Sequence, residues 1–133
     1  MRRWGFFIFC VIAWTIGLLV PNPTSPFSGR VADIPGLKFY VSKTVHVGAY
    51  AFLTLLVVYL PGSRRLRFLM FAFLSLHGFV SEYLQNTLTT QRTGSLRDVL
   101  LDHVGILLGL LFAGVIDHRR SRASTKDRGE RLP

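Results

Sequence analysis

Four apolar segments constrain this chain more than any other feature of its sequence. They cover residues 4–20, 43–60, 66–84 and 99–116, and a helix needs about 20 residues to span the hydrocarbon core of a bilayer. Helices of a soluble bundle carry a polar stripe along one face, and residues 51–60 lack such a stripe. The sequence therefore predicts an all-α, polytopic membrane protein with four transmembrane helices.

The composition favours a lipid bilayer over a nucleic acid as the partner. Half of the 133 residues are hydrophobic, the mean hydropathy is +0.38 and the formal net charge is +9. The Lys and Arg residues occur in short clusters between the apolar runs, and no aromatic and basic motif of an RNA-binding sheet is present. This combination is typical of a membrane protein with basic cytoplasmic edges, so we expect no nucleic-acid binding.

The distribution of basic residues predicts that both termini lie in the cytoplasm. Cytoplasmic loops carry an excess of Lys and Arg. Most of the 16 Lys and Arg residues lie before the first segment, between the second and third segments, or after the fourth. We therefore interpret residues 1–117 as the membrane domain and residues 118–133 as a basic, disordered cytoplasmic tail.

Polar residues recur at helical spacing near the predicted outer end of three segments. Residues three, four or seven apart share one face of a helix, and ionisable groups at membrane depth are costly unless they pair or face a cavity. The three faces and the loop before the fourth segment therefore predict one composite ligand-binding site or polar network. Its members are Lys43, His46, Tyr50, Glu82, Gln85, Arg92, Asp98 and Asp102.

Glu82 is the strongest functional candidate among these residues. It lies near the end of the third segment, where a carboxylate meets the unfavourable end of the helix dipole. It therefore needs a proton or a cation, which Arg92, Lys43 or His46 could supply. Glu82 and His46 are also the candidates for catalytic residues, although the sequence assigns no reaction.

Other members have structural interpretations of equal weight. Lys43 could anchor the second helix at the membrane interface, Tyr50 could be a packing aromatic, and Asp98 could stabilise a helix N-terminus. His77 lies on a different helix face from Glu82 and is predicted to be a neutral, hydrogen-bonded packing residue.

The fourth segment also carries Gly105 and Gly109 on the face of its acids. Small residues at this spacing let two helix backbones approach closely, so we expect the acidic face to pack against another helix. The segments contain no histidine pair with zinc-ligand spacing and no glycine-rich phosphate loop. We therefore expect no metal site and no cofactor.

The order and spacing of these residues resemble those of the VanZ-like family of small bacterial integral membrane proteins. The match covers residues 40–115, and it comprises Lys43-Thr-Val-His46-Val-Gly-Ala-Tyr50, Glu82-Tyr-Leu-Gln85, Arg92 and Asp98-Val-Leu-Leu-Asp102-His-Val-Gly105-Ile-Leu-Leu-Gly109. The resemblance implies a multi-pass protein of the bacterial cytoplasmic membrane. The family's named member is associated with resistance to the glycopeptide teicoplanin.

The chain departs from the family pattern at two positions. Ser42 stands where the family usually has an acidic residue, and Asp102 stands where it usually has Asn. The second departure adds an ionisable group to the predicted site.

Three functions remain open at this point, in decreasing rank. The first is a non-enzymatic envelope protein that binds or shields a cell-wall precursor or an anionic lipid headgroup, with Lys43 and Arg92 contacting phosphate or carboxylate. The second is a membrane enzyme for a lipid-linked phosphate substrate, with Glu82 or His46 as general acid or base. The third is a proton-coupled transporter that uses Glu82, Asp102 and His46 as a relay and needs an oligomer, since four helices are few for a transport path.

Overall fold

The computed structural model describes residues 1–20, 36–88 and 95–129, without the side chains of residues 37, 38 and 119–129. The described residues form four α-helices and no strand, which confirms the all-α prediction for this part of the chain. The helices are α1 (Arg2–Leu19), α2 (Leu37–Tyr59), α3 (Arg64–Leu88) and α4 (Leu96–Gly129).

Three of the helices are long and apolar enough to cross a membrane, over Arg2–Leu19, Phe39–Tyr59 and Leu96–His118. Helix α3 is not among them because it begins with three arginines and carries Glu82 near its end. The protein is therefore a multi-pass membrane protein by the length and composition of its helices, with three spans of this kind among the described residues.

Large apolar side chains point away from the helix bundle on every helix. Phe9, Phe68 and Leu111 are each about two-thirds exposed, at 66%, 71% and 66%. A soluble monomer rarely exposes apolar surface on this scale. Contact with lipid chains accounts for these exposed faces.

Helices α2 and α3 are joined by a link of four residues, 60–63, which contains Pro61 and Gly62. The Ser63 hydroxyl accepts a hydrogen bond from the Leu66 amide at 3.2 Å and so caps the first turn of α3. Arg64, which the sequence placed in the link, therefore lies inside α3. So short a link reverses the chain, and the start of α2 lies beside the end of α3.

Helix α4 is longer than the sequence predicted, because its backbone stays helical to Gly129. Composition had predicted a disordered tail from residue 118. A chain that continues an existing helix adds one hydrogen bond per residue without a new nucleation cost, and the segment contains no proline before Gly129. Residues 130–133 lie outside the described residues, and the domain boundary at residue 118 stays a prediction.

The closest helix contact joins α2 and α4. A Cβ atom added to Gly105 would lie 2.5 Å from the Val47 carbonyl oxygen, and one added to Gly109 would lie 2.6 Å from the Ala51 carbonyl oxygen. The two glycines therefore let α4 rest on the backbone of α2. Next to the polar residues, all four helices enclose an apolar core. Its residues are Phe7, Tyr50, Leu53, Val57, Leu60, Leu74 and Ile106.

Candidate functional site

The polar residues predicted from sequence meet at one end of the bundle. This end contains the last turns of α1 and α3 and the first turns of α2 and α4. The described members are all in the interior or at its rim, and we call them the polar cluster: Lys43, His46, Tyr50, Glu82, Gln85, Asp98 and Asp102. Arg92 lies outside the described residues, so its predicted pairing with Glu82 stays a prediction.

Lys43 and Asp98 form an ion pair between α2 and α4 at the rim of the polar cluster. The Lys43 ammonium also lies 5.1 Å from the centre of the Phe39 ring, a cation–π distance. Asp98 is in the first turn of α4, where its charge complements the helix dipole. The ion pair therefore stabilises the start of α4 and connects α2 to α4. The Lys43 side chain keeps 21% of its surface exposed.

His46, Asp102 and Glu82 form the buried centre of the polar cluster. His46 Nδ1 lies 2.9 Å from Asp102 Oδ1 and 4.0 Å from Glu82 Oε1. The exposed fractions of the three residues are 4%, 0% and 4%. Three helices thus place one imidazole and two carboxyl groups in direct or near contact inside the protein.

Glu82 is held by the backbone at the start of α4. Its Oε2 accepts a hydrogen bond from the Ser95 amide at 2.9 Å, whereas its Oε1 has no hydrogen-bond partner among the described residues. The positive N-terminal end of α4 offsets part of the unfavourable dipole at the end of α3. The sequence did not predict this contact, because no periodic pattern relates Ser95 to Glu82.

Asp102 also has one oxygen without a partner. Its Oδ2 is buried and makes no hydrogen bond within the described part of the chain. Gly78 of α3 faces it, and an added Cβ there would lie 3.2 Å from this oxygen. The absence of a side chain at Gly78 therefore makes room for the Asp102 carboxyl group between α3 and α4.

A second hydrogen-bonded chain connects Tyr50 to α1 through His77. Thr15 donates its hydroxyl proton to the Val11 carbonyl oxygen, so it accepts from His77 Nε2 at 2.8 Å. His77 Nδ1 then accepts from the Tyr50 hydroxyl, also at 2.8 Å. Both ring nitrogens of a neutral His77 are satisfied, in agreement with the role predicted from its helix face.

Helix α1 closes the polar cluster from the side. The edge of the Trp14 ring lies against His46 with the ring centres 5.6 Å apart, and Trp14 makes a similar contact with Tyr50 at 6.3 Å. Gln85 donates a hydrogen bond to the Leu18 carbonyl oxygen at 3.0 Å. These partners were missed at the sequence level, because the first segment was interpreted only as an apolar span.

Ser75 and His103 form a separate pair on the far side of the α3–α4 contact. His103 Nδ1 donates to the Val99 carbonyl oxygen at 2.7 Å, so its Nε2 accepts from the Ser75 hydroxyl at 2.7 Å. Ser75 is therefore the partner of His103, which lies next to Asp102 in the chain but is not a member of the polar cluster.

A groove between α3 and α4 leads to Glu82. Its volume is about 220 Å³, and Asn86 and Ser95 contribute to its polar rim. A larger cavity of about 350 Å³ lies at the opposite end of the bundle, beside Arg2 and Arg3. The groove therefore brings a polar group beside Glu82, one of the two buried carboxyl groups.

Comparison of the chain with protein-family models, with curated proteins and with solved structures finds no match. The resemblance to VanZ-like proteins accordingly rests on the sequence motifs between residues 40 and 115 alone.

Proposed function

We propose that this chain is a VanZ-like integral membrane protein of the bacterial cell envelope, in which the polar cluster binds the polar part of an envelope ligand. The ligand is a cell-wall precursor or an anionic lipid headgroup at the outer face of the cytoplasmic membrane. Binding shields the precursor or positions a partner, and the expected phenotype is resistance to teicoplanin.

The proposal includes a fourth membrane crossing by α3, with both termini in the cytoplasm. Helix α3 has 25 residues, which corresponds to about 37 Å and exceeds the thickness of the hydrocarbon core, about 30 Å. It starts beside the end of α2 and ends beside the start of α4, which supports a crossing over the same depth as its neighbours. Its arginines at one end and its buried Glu82 at the other avoid exposure of charge to lipid.

The observation that carries the binding proposal is the convergence of buried ionisable groups from three helices beside an open groove. A network built only for stability would satisfy its buried carboxylate oxygens internally. Glu82 Oε1 and Asp102 Oδ2 lack hydrogen-bond partners among the described residues. These oxygens can accept hydrogen bonds from hydroxyl or amide groups of a ligand, and the groove reaches one of them, at Glu82.

Lys43 supplies the contact to an anionic group in this proposal. An ammonium group has three N–H donors, and the ion pair with Asp98 uses one of them. The remaining donors lie at the partly exposed rim, where Asp98 holds the side chain in place. Arg92, in the loop before α4, adds a guanidinium group that can bind phosphate or carboxylate through two hydrogen bonds.

The second candidate is a membrane enzyme, favoured by the contact between His46 and Asp102. A histidine oriented by a carboxylate is a common general-base arrangement, and Glu82 lies nearby as a second proton carrier. However, His46 is 4% exposed, and the groove between α3 and α4 is lined by Glu82 but not by His46. The burial of the base favours binding over catalysis.

The decisive experiment is a susceptibility assay in a bacterial host without an outer membrane, with teicoplanin as the test drug and vancomycin as the control. Wild type is compared with Glu82→Gln, Arg92→Ala and Lys43→Gln at matched membrane levels, and His118→Gln serves as an exposed control substitution. We expect wild type and His118→Gln to protect, and the variants at Glu82, Arg92 and Lys43 to lose protection. A well-expressed wild type that gives no protection would refute the resistance proposal.

The same variants separate the two candidate functions. If the protein is an enzyme, Glu82→Gln should abolish turnover of a lipid-linked phosphate while the protein still folds and binds that substrate. If it is a binding protein, Glu82→Gln should weaken binding itself, and no turnover should be detected with wild type.

A further inference from the structure

The buried centre of the polar cluster has the composition and spacing of a metal site. His46, Glu82 and Asp102 each offer one donor atom, and these atoms all lie within 4.8 Å of one another. They come from α2, α3 and α4, respectively. The sequence pattern does not predict this group, because metal-ligand spacing relates residues within one helix and no two of these residues share a helix.

With both carboxyl groups ionised, the charges of the group do not balance by themselves. Glu82 and Asp102 bring two carboxyl groups, and Lys43 is already engaged by Asp98. His46 is the one basic side chain that reaches them among the described residues. A buried charge is costly unless it is paired, and a protonated His46 can neutralise only one carboxylate. A divalent cation neutralises both and leaves His46 neutral, as a metal ligand must be.

The unsatisfied oxygens point to the same conclusion independently of charge. Glu82 Oε1 and Asp102 Oδ2 are buried and have no hydrogen-bond partner in the described residues, although their residues are only 4% and 0% exposed. Buried acceptors without partners are costly. A metal ion would bond to Glu82 Oε1 directly, and a turn of the Asp102 carboxyl group, or coordination through both of its oxygens, would bring Asp102 Oδ2 onto the same ion.

The distances suit one ion after a small adjustment. Two donor atoms that each lie 2.0–2.2 Å from the same ion are separated by about 3 to 4.4 Å, depending on the angle between the bonds. The distances from His46 Nδ1 to Asp102 Oδ1 and to Glu82 Oε1, 2.9 Å and 4.0 Å, lie close to or within this range. The donor atoms of Glu82 and Asp102 lie within 4.8 Å of each other. Rotation of one carboxyl group shortens this distance. Ser95 fixes the other Glu82 oxygen, as outer partners of metal ligands commonly do.

We propose that His46, Glu82 and Asp102 bind one divalent transition-metal ion of the Zn²⁺ class. One imidazole with two carboxylates suits Zn²⁺ or Mn²⁺, whereas Mg²⁺ prefers oxygen ligands alone. Three protein ligands leave at least one coordination position open, and one of the three, Glu82, lines the groove between α3 and α4. This site does not depend on whether the protein protects against glycopeptides.

The test uses the full-length protein without an affinity tag, purified in detergent and stripped of metal with a chelator. Zn²⁺, Mn²⁺ and Mg²⁺ are titrated by calorimetry, and Co²⁺ serves as a spectroscopic substitute for Zn²⁺. We expect one Zn²⁺ per chain, visible Co²⁺ absorption bands that Zn²⁺ abolishes, and no competition by equimolar Mg²⁺. His46→Gln, Glu82→Gln and Asp102→Asn should each weaken Zn²⁺ binding by more than about 100-fold. The reason is that loss of a residue that only supports a metal ligand already costs up to about 100-fold in affinity.

Two matched controls lie on α4. His103→Gln removes the histidine next to Asp102, and Asp117→Asn removes a carboxyl group far from the polar cluster; both should bind Zn²⁺ as wild type does. Equal loss of binding in His103→Gln and His46→Gln would overturn the assignment, and so would a stripped wild type that binds none of the transition metals.

X-ray absorption of the Zn²⁺-loaded wild type provides a measurement that does not depend on the folding of any variant. The proposed site predicts one imidazole and otherwise oxygen ligands, with bond lengths of about 2.0–2.2 Å. A spectrum that requires sulfur or two or more imidazoles would refute the proposed ligand set.

Discussion

The two ends of the bundle both carry ionisable residues, but they use them in opposite ways. At the end that contains the start of α1 and α3, Arg2, Arg3, Arg64 and Arg65 are exposed. At the other end, His46, Glu82 and Asp102 are buried and contact one another. We call the first the arginine end. The exposed arginine side chains can interact with headgroups and water. The buried ionisable groups of the polar cluster need specific partner atoms within the protein.

The difference teaches that the number of charged residues at a membrane boundary says little about function. If the arginine end sets the proposed orientation, it does so through the summed charge of its residues, so single positions should matter little. The polar cluster depends on individual partners, so the loss of one partner leaves another unpaired in a low-dielectric interior. Substitutions at the two ends should therefore differ strongly in effect.

The largest expected effect is that of His46→Ala. It removes the imidazole that is hydrogen-bonded to Asp102 and lies 4.0 Å from Glu82, and a buried polar group left without its partner costs about 1–3 kcal/mol, or more when it is charged, in addition to the cavity that the ring leaves. Unfolding in mixed detergent micelles, followed by circular dichroism, measures the change. Arg65→Ala at the arginine end is the matched control and should leave the midpoint unchanged. Equal destabilisation by the two substitutions would contradict the comparison.

Gly105→Ala should have the next largest effect. The added Cβ would lie 2.5 Å from the Val47 carbonyl oxygen, and overpacking of this kind costs about 1–3 kcal/mol. Gly114→Ala, further along α4 toward the arginine end, meets no atom within 4 Å and should be neutral or stabilising by up to about 1 kcal/mol through helix propensity. Thermal unfolding of the two variants in detergent measures the change in stability, which should be a loss for Gly105→Ala and no change or a gain for Gly114→Ala. A stabilised Gly105→Ala would mean that α2 and α4 are not in close contact.

Lys43→Gln should have a smaller effect on stability than on binding. Its ion pair with Asp98 lies at the rim, and partly exposed pairs contribute about 1 kcal/mol or less. Arg97→Gln, an exposed basic residue one position before Asp98, is the control. The expected result is a minor change in the unfolding midpoint together with loss of teicoplanin protection. A large loss of stability would show that Lys43 belongs energetically to the buried centre.

Arg3→Ala should have the smallest effect of the four. The guanidinium donates to the Tyr59 carbonyl oxygen at 3.4 Å on the exposed surface, near the C-terminus of α2, where a cation contributes about 0.5 kcal/mol or less when exposed. The unfolding midpoint should move by less than that of Lys43→Gln. A larger shift would contradict the view that the arginine end acts through its total charge.

Sequence reasoning predicted the helices and the polar residues that the structure brings together, because both follow from local periodicity. The apolar segments gave the class of fold, although α4 continues to Gly129 because helix extension is easier than initiation. The spacings of His46, Glu82 and Asp102 put each on a polar face of its own helix. Arg92 was the proposed partner of Glu82, and it lies outside the described residues.

The specific partners were not predictable in the same way. Nothing in the sequence relates Glu82 to the Ser95 amide, or Gln85 to the Leu18 carbonyl oxygen. His77 was correctly placed on another face, but its bond to Thr15 depends on the position of α1. Such contacts between helices require the rotation and axial position of each helix, which a pattern within one helix does not contain.

The sequence by itself determined that the chain is helical, that its helices suit a bilayer and which residues share a helix face, because 3.6 residues per turn fix these relations along one segment. The tertiary structure decided that Lys43 pairs with Asp98 while His46 meets Asp102 and Glu82. The physical reason lies in packing: the close approach of α2 and α4 at Gly105 sets the depth and rotation of the helices, and this geometry selects which side chains meet.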